Sequence, residues 1–156
     1  YTIALILKEY FHELAGWSVN LLATDISQEM LRRSSDGRYS QIEVNRGLPI
    51  ELLLKYFRQE GAIWQLRDDV RSMVSFRQLN LARPFPPLPR MDLIMLRNVM
   101  IYFDKPTQRH ALERIVPLLT PAGRLYAGHS ESFNHAMDVI TSCGRTIYRA
   151  TTAEDR

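Results

Sequence analysis

The chain has a single cysteine, Cys143, in 156 residues. That excludes an internal disulfide framework and suits a reducing compartment. No Gly-x-Gly-x-x-Gly and no Walker-type loop occurs, so the common phosphate-cradling signatures are missing. No apolar run is long enough to cross a bilayer. No long Lys/Arg block occurs, and a formal charge of +3 is too mild to argue for nucleic acid. The four histidines, His12, His110, His129 and His135, share no tight ligand spacing, so no metal site is expected. His129-Ser130-Glu131-Ser132 brings hydrolase residue types together. Without a Gly-x-Ser-x-Gly elbow the string reads as a strand-end turn lining a cleft. No internal repeat is visible.

What is present fits one α/β domain with a real core. Ile3, Leu7, Tyr10, Phe11 and Leu14 have helical spacing over 1–15, ended by Gly16. Val19 to Thr24 reads as a strand with Asp25 at its end. Ser27 is an N-cap for a helix running to Asp36-Gly37. Arg38 to Phe76 changes character: an extended piece from Arg38, a helix from Pro49 to about Gln59, then strands at Ala62–Leu66 and Arg71–Phe76. This stretch is too long for a simple connection and is expected to be an inserted β-subdomain, about 38–76, with its own antiparallel sheet. A proline-rich connector, Arg83 to Arg90, precedes a buried strand at Met91–Leu96. Pro106 opens a helix to about Leu119, Thr120 to Gly123 turn the chain, and Arg124–Gly128 is a strand. Met137–Ile140 and Arg145–Arg149 form a closing hairpin.

Ligands in open α/β sheets bind outside the carboxyl ends of strands, and three strand ends here carry suitable chemistry. Asp25 can accept hydrogen bonds from a ribose diol, or simply cap a helix. Asn80 with Leu81 can read an adenine edge through an amide and a backbone N–H, or serve as a turn. At the end of the 91–96 strand, Arg97 can pair a carboxylate or form a weak surface ion pair. Asn98 lies beside it. Tyr102 either belongs to a site or packs with its hydroxyl at the rim.

Four blocks stand in the order seen in the chemotaxis-receptor glutamate methyltransferases, the CheR family. They are Ala23-Thr24-Asp25-Ile26-Ser27, Asn80-Leu81, Leu96-Arg97-Asn98-Val99-Met100-Ile101-Tyr102-Phe103-Asp104 and Ala127-Gly128-His129-Ser130-Glu131-Ser132-Phe133. The chain resembles that family from Tyr1 to about Tyr148. The resemblance implies a class I, Rossmann-like methyltransferase fold using S-adenosylmethionine and yielding S-adenosylhomocysteine. It assigns Asp25 to the ribose hydroxyls with Ile26 beside it, and Asn80 and Leu81 to the adenine. Asn98, Val99 and Arg97 would lie near the methionine part, and Tyr102 near the transferred methyl, with Arg97 and Tyr102 as the catalytic pair. The implied reaction is O-methylation of glutamates on the cytoplasmic signalling helices of chemoreceptors, by a cytoplasmic enzyme. Another class I methyltransferase and a non-catalytic methyltransferase-like interaction module are the alternatives.

Two departures from the family pattern shape further expectations. The family's glycine-containing cofactor loop and its strand would precede the first helix. The Glu-Glu-Pro-Tyr stretch survives only as Tyr1, and the N-terminal helical domain with its catalytic arginine is absent. The chain opens on a helix with no cap, basic segment or cleavage site before it. It is therefore expected to be a piece of a longer protein, incomplete at the N-terminal side of its sheet, not implied to be active alone, and weakly stable or self-associating. The link from Tyr56 to Trp64, with only Gly61, is shorter than in receptor-tethered members, so docking of a tethering pentapeptide by strand addition is not expected to be required.

Overall fold

The computed structural model describes residues 1–152 and 155. They fall into two compact units, Tyr1–Leu79 and Asn80–Arg156, each with its own core.

The first unit opens with α1 (Thr2–Tyr10), which buries Ala4 and Leu5. β1 (Leu21–Asp25) follows, with Asp25 as its last residue. Ser27 caps α2 (Gln28–Asp36) by accepting from the Met30 N–H, and Gly37 closes the helix in the left-handed conformation. β2 (Arg38–Ser40) leads into α3 (Gln41–Val44), one turn that the sequence reading missed. Its signal was a capping box: Ser40 accepts from the Glu43 N–H while the Glu43 carboxylate accepts from the Ser40 N–H. After Pro49 come α4 (Ile50–Tyr56), β3 (Phe57–Glu60) and β4 (Ile63–Leu66). The expected helix to Gln59 is thus too long. Phe57–Glu60 pair antiparallel with β4 across Gly61-Ala62, and this cross-strand pairing outweighs the local helical preference of Arg-Gln-Glu. Trp64 is buried and donates its indole N–H to Gln41 Oε1 at 2.8 Å.

α5 (Asp68–Arg71) precedes β5 (Val74–Gln78). The strand expected at Arg71–Phe76, inside the insertion's antiparallel sheet, is corrected by its pairing. β5 runs parallel to β1, from Leu21 opposite Val74 to Asp25 opposite Gln78. The antiparallel sheet has the order β2–β4–β3 and ends at Leu66. β5 alternates half-buried and exposed residues, a pattern that carries no information about partner or direction.

In the second unit β6 (Met91–Leu96) lies where expected and pairs in parallel with β7 (Leu119–Ala127), but it is not the buried strand expected: only Leu96 is buried, while Leu93 and Met95 are exposed. Between them α6 (Lys105–Ile115) buries a stripe at Gln108, Ala111, Leu112 and Ile115, the i, i+3, i+4, i+7 face of an amphipathic helix. Each fully buried Leu or Ile there contributes about 1.5–3 kcal/mol. The helix stops before the expected Leu119. Pro117 cannot continue its hydrogen bonding, and Val116–Leu118 form a 3₁₀ turn instead. Thr120–Gly123, expected as a turn, is an excursion inside β7: Met91 lies opposite Leu119, yet Leu93 lies opposite Arg124. Gly123 suits this excursion, because a Cβ would crowd the Met91 carbonyl oxygen and the Thr120 backbone at 3.0 Å. β8 (Ile140–Gly144) and β9 (Ile147–Ala150) make the closing hairpin, in sheet order β6–β7–β9–β8. Its first strand starts at Ile140 rather than Met137, because Asn134–Ala136 form a 3₁₀ turn. Among the described residues no helix is long and apolar enough to cross a membrane.

Candidate functional site

The loop that follows β6 is the most heavily built backbone in the second unit. Asn98 has φ +57, a left-handed conformation that Asn tolerates better than most residues. The next two N–H groups, of Val99 and Met100, both donate to Glu131 Oε1 at 3.0 Å. The other oxygen of that buried carboxylate accepts from the Gly128 N–H at 2.7 Å. On the carbonyl side of the loop, buried Gln108 donates to the Met100 and Phe103 oxygens at 2.8 and 3.0 Å. It accepts from Lys105 at 3.2 Å. Asp104 then caps α6 through the Thr107 N–H at 2.9 Å. The Thr107 hydroxyl and N–H together hold the Asp104 carboxyl below its usual range.

This framework faces the candidate side chains outward. Arg97 and Asn98 are exposed, Val99 is 37 % exposed and Tyr102 is 80 % exposed. Packing therefore does not account for Tyr102, and the rim-of-core alternative is set aside. Asn98 also abuts the end of β7. A Cβ on Gly128 would lie 3.1 Å from Asn98 Oδ1 and 2.7 Å from Glu131 Oε2. Gly128 thus lets the Glu131 carboxylate and the Asn98 amide approach the backbone after β7 closely.

Asn80 and Leu81 stand at the start of the same unit. Asn80 Oδ1 accepts from the Ala82 N–H at 2.9 Å, and its carbonyl accepts from Arg83. This is the turn use of Asn, and it leaves the amide nitrogen without a hydrogen-bond partner among the described residues. Leu81 packs on the core that contains Leu96, Met100 and Ala127. No hydrogen bond joins Asn80 to the Arg97–Tyr102 loop among the described residues.

Asp25 and Ile26 belong to the first unit. Both are exposed, Ile26 by 59 %. Asp25 Oδ1 accepts from the Ser27 N–H at 2.8 Å, and Gln78 of β5 donates to the Ile26 carbonyl at 2.8 Å. The turn is therefore fixed to the neighbouring strand, while Asp25 Oδ2 makes no hydrogen bond among the described residues.

The family model described as the CheR methyltransferase, SAM binding domain, matches residues 1–149. The chain belongs to that family. It is 38 % identical over 155 residues to the chemotaxis protein methyltransferase of Klebsiella aerogenes, covering 97 % of the chain and 53 % of that relative. It is 38 % identical to the Escherichia coli chemotaxis protein methyltransferase, over 95 % of the chain and 53 % of the relative. With chemotaxis protein methyltransferase 2 of Pseudomonas aeruginosa the identity is 37 %, over 95 % and 54 %. The chain thus spans about half the length of the curated relatives it matches. Its α/β architecture with mixed sheets fits a class I methyltransferase, and S-adenosylmethionine is the cofactor for which the CheR domain is named.

The residues of this CheR-family chain suit that cofactor chemically. In the first unit an exposed carboxylate with one uncommitted oxygen supplies an acceptor, and in the second an amide with an uncommitted nitrogen supplies a donor. Sequence reasoning did not find the role of the two residues that build the loop. Gln108 had a signal, as a polar residue in an otherwise apolar stripe. Glu131 stood inside the Ala127–Phe133 block, read only as part of a strand-end turn, because two of its partners lie 31 and 32 positions away.

Proposed function

We propose that the protein transfers a methyl group from S-adenosylmethionine to glutamate side chains on the cytoplasmic signalling helices of chemoreceptors. Family membership and the relatives' names support this reading, and the outward-facing Arg97–Asn98–Tyr102 set on a fixed backbone carries it. Asp25, with Ile26 beside it, would hold the ribose hydroxyls. Asn80 and Leu81 would hold the adenine, and Asn98 and Val99 the amino-acid end. When bound, the cofactor supplies a sulfonium-activated methyl.

The chain's own residues need not provide a base. A glutamate carboxylate, with a pKa of about 4.3, is already the nucleophile at neutral pH. What remains is alignment of oxygen, methyl carbon and sulfur, and orientation of this kind is worth on the order of 7 kcal/mol. Arg97 would pair a carboxylate through its planar fork. Tyr102 would orient the reacting groups from the rim of the site.

Three finer readings accompany this one. Each unit carries a parallel strand pair of the Rossmann-like kind, β1–β5 in the first and β6–β7 in the second, and β2–β4–β3 is an antiparallel insertion in the first unit. The insertion's hairpin turns in two residues, Gly61-Ala62, and a receptor-tail pentapeptide is not required for recruitment; measurable binding of such a peptide would overturn that. β1 and β6 are terminal strands, open templates for another chain, so self-association is expected to make the melting temperature rise with concentration.

Calorimetric titration of S-adenosylhomocysteine tests the main reading, using this chain beside one of the relatives' full length. Binding by the longer chain supports it. Absence of binding by both removes the cofactor roles of Asp25, Asn80 and Asn98, and favours a non-catalytic module.

A further inference from the structure

We infer that Glu131 is a positioning residue for the methionine end of the cofactor site, an assignment that rests on the methyltransferase reading above. Glu131 is 6 % exposed, and a buried carboxylate is tolerated only when it is well hydrogen-bonded. Each of its oxygens is committed: Oε1 to the Val99 and Met100 N–H groups, Oε2 to the Gly128 N–H. A left-handed residue followed by one in a right-handed twist makes consecutive N–H groups converge into an anion-binding concavity. Asn98 at φ +57 and Val99 at φ −120, ψ −45 have that form, and the Glu131 carboxylate occupies the concavity. The group is an acceptor only and performs no proton transfer. It fixes the backbone from which Asn98 projects, and it does so from the end of the neighbouring strand.

Core packing is not the reason for a carboxylate here. The buried apolar side chains around this point, Leu96, Met100, Ala127 and Phe133, leave no need for a charge, which costs free energy to bury. The turn it closes is also satisfied without it, since the Glu131 N–H already donates to the Gly128 carbonyl at 3.1 Å. What the side chain adds is a link between two strand ends and the fixed direction of Asn98. Gly128 belongs to the same device, because a Cβ there would displace the carboxylate and crowd the Asn98 amide.

The test uses Glu131→Gln and, as an independent variant, Gly128→Ala, in a chain of the relatives' full length. An amide has one acceptor oxygen and turns its NH₂ toward a backbone donor, so Glu131→Gln breaks part of the link while keeping the volume. Two probes are titrated: S-adenosylhomocysteine, and 5′-methylthioadenosine, which lacks the amino-acid end. The expected result is at least a tenfold loss of affinity for the first probe, with less than a twofold change for the second. Amide exchange at Val99 and Met100 should accelerate at least tenfold, while that at Leu112 and Leu125 stays within threefold. Parallel loss for both probes, or uniform acceleration of exchange, would show a purely structural residue and overturn the assignment. If the wild-type protein binds neither probe, the cofactor reading fails and the assignment falls with it. Exchange in the wild type separates that outcome from a missing link, because slow Val99 and Met100 amides keep the link and fast ones remove it.

Discussion

The turns after β1 and after β6 do the same job by different means. After β1 the chain is shaped locally: Asp25 accepts from the N–H two residues on, Ser27 caps the next helix, and the groups involved are largely exposed. After β6 it is shaped from a distance by a buried carboxylate and a buried amide on other elements. A local turn forms as soon as its own residues are in place. The second exists only once β6, α6 and the end of β7 are assembled, so it is more rigid and more costly to disturb.

The sharpest way to break this contrast is Glu131→Ala. Three backbone donors lose a charged acceptor in the interior, and stability should fall by about 3 kcal/mol or more in urea unfolding followed by circular dichroism. A loss no larger than that of a surface substitution would mean the loop holds itself. Gln108→Leu keeps the helical stripe apolar but removes the side-chain donor to the Phe103 carbonyl and leaves the Met100 carbonyl with only the Phe103 N–H. A loss of about 2 kcal/mol is expected from the same measurement. For the local turn, Ser27→Ala should cost only about 1 kcal/mol, the ordinary value of an N-cap, with Ser27→Thr retaining most of it.

The smallest effect is in acid. The Asp104 carboxyl is held below its usual value by the Thr107 hydroxyl and N–H, so the cap strengthens the fold when ionised. That contribution is complete above the ordinary carboxylate value of about 3.9. It disappears as pH falls through the lower folded value. Urea midpoints of wild type and Asp104→Asn should therefore differ at pH 6 and converge toward pH 2. Constant separation across that range would assign the cap to something other than the carboxylate.

The same contrast explains what could be read from the sequence. The Ser27 cap after Asp25, the helix opened by Pro106 and the position of β6 were legible because their signals lie within a few residues of one another. The candidate cofactor residues were named through the family blocks, and the structure places Arg97, Asn98 and Tyr102 on one outward-facing loop. The fate of 57–60 and 74–78 was not legible. Whether Phe57–Glu60 continues a helix or pairs with β4 is decided across the Gly61-Ala62 turn, and β5's partner lies more than fifty residues upstream. Glu131 was named within its block, but its bonding role was hidden for the same reason: that role is a set of distances that folding alone creates.

Both tryptophans of the chain, Trp17 and Trp64, lie in the first unit. Trp17 is 72 % exposed, so nearly all the emission change on unfolding comes from Trp64 leaving its buried bond to Gln41. Selectively excited tryptophan emission therefore watches the half that carries Asp25 and is blind to the half that carries Asn98 and Tyr102. Comparing it with circular dichroism gives a label-free measure of whether the two halves unfold as one.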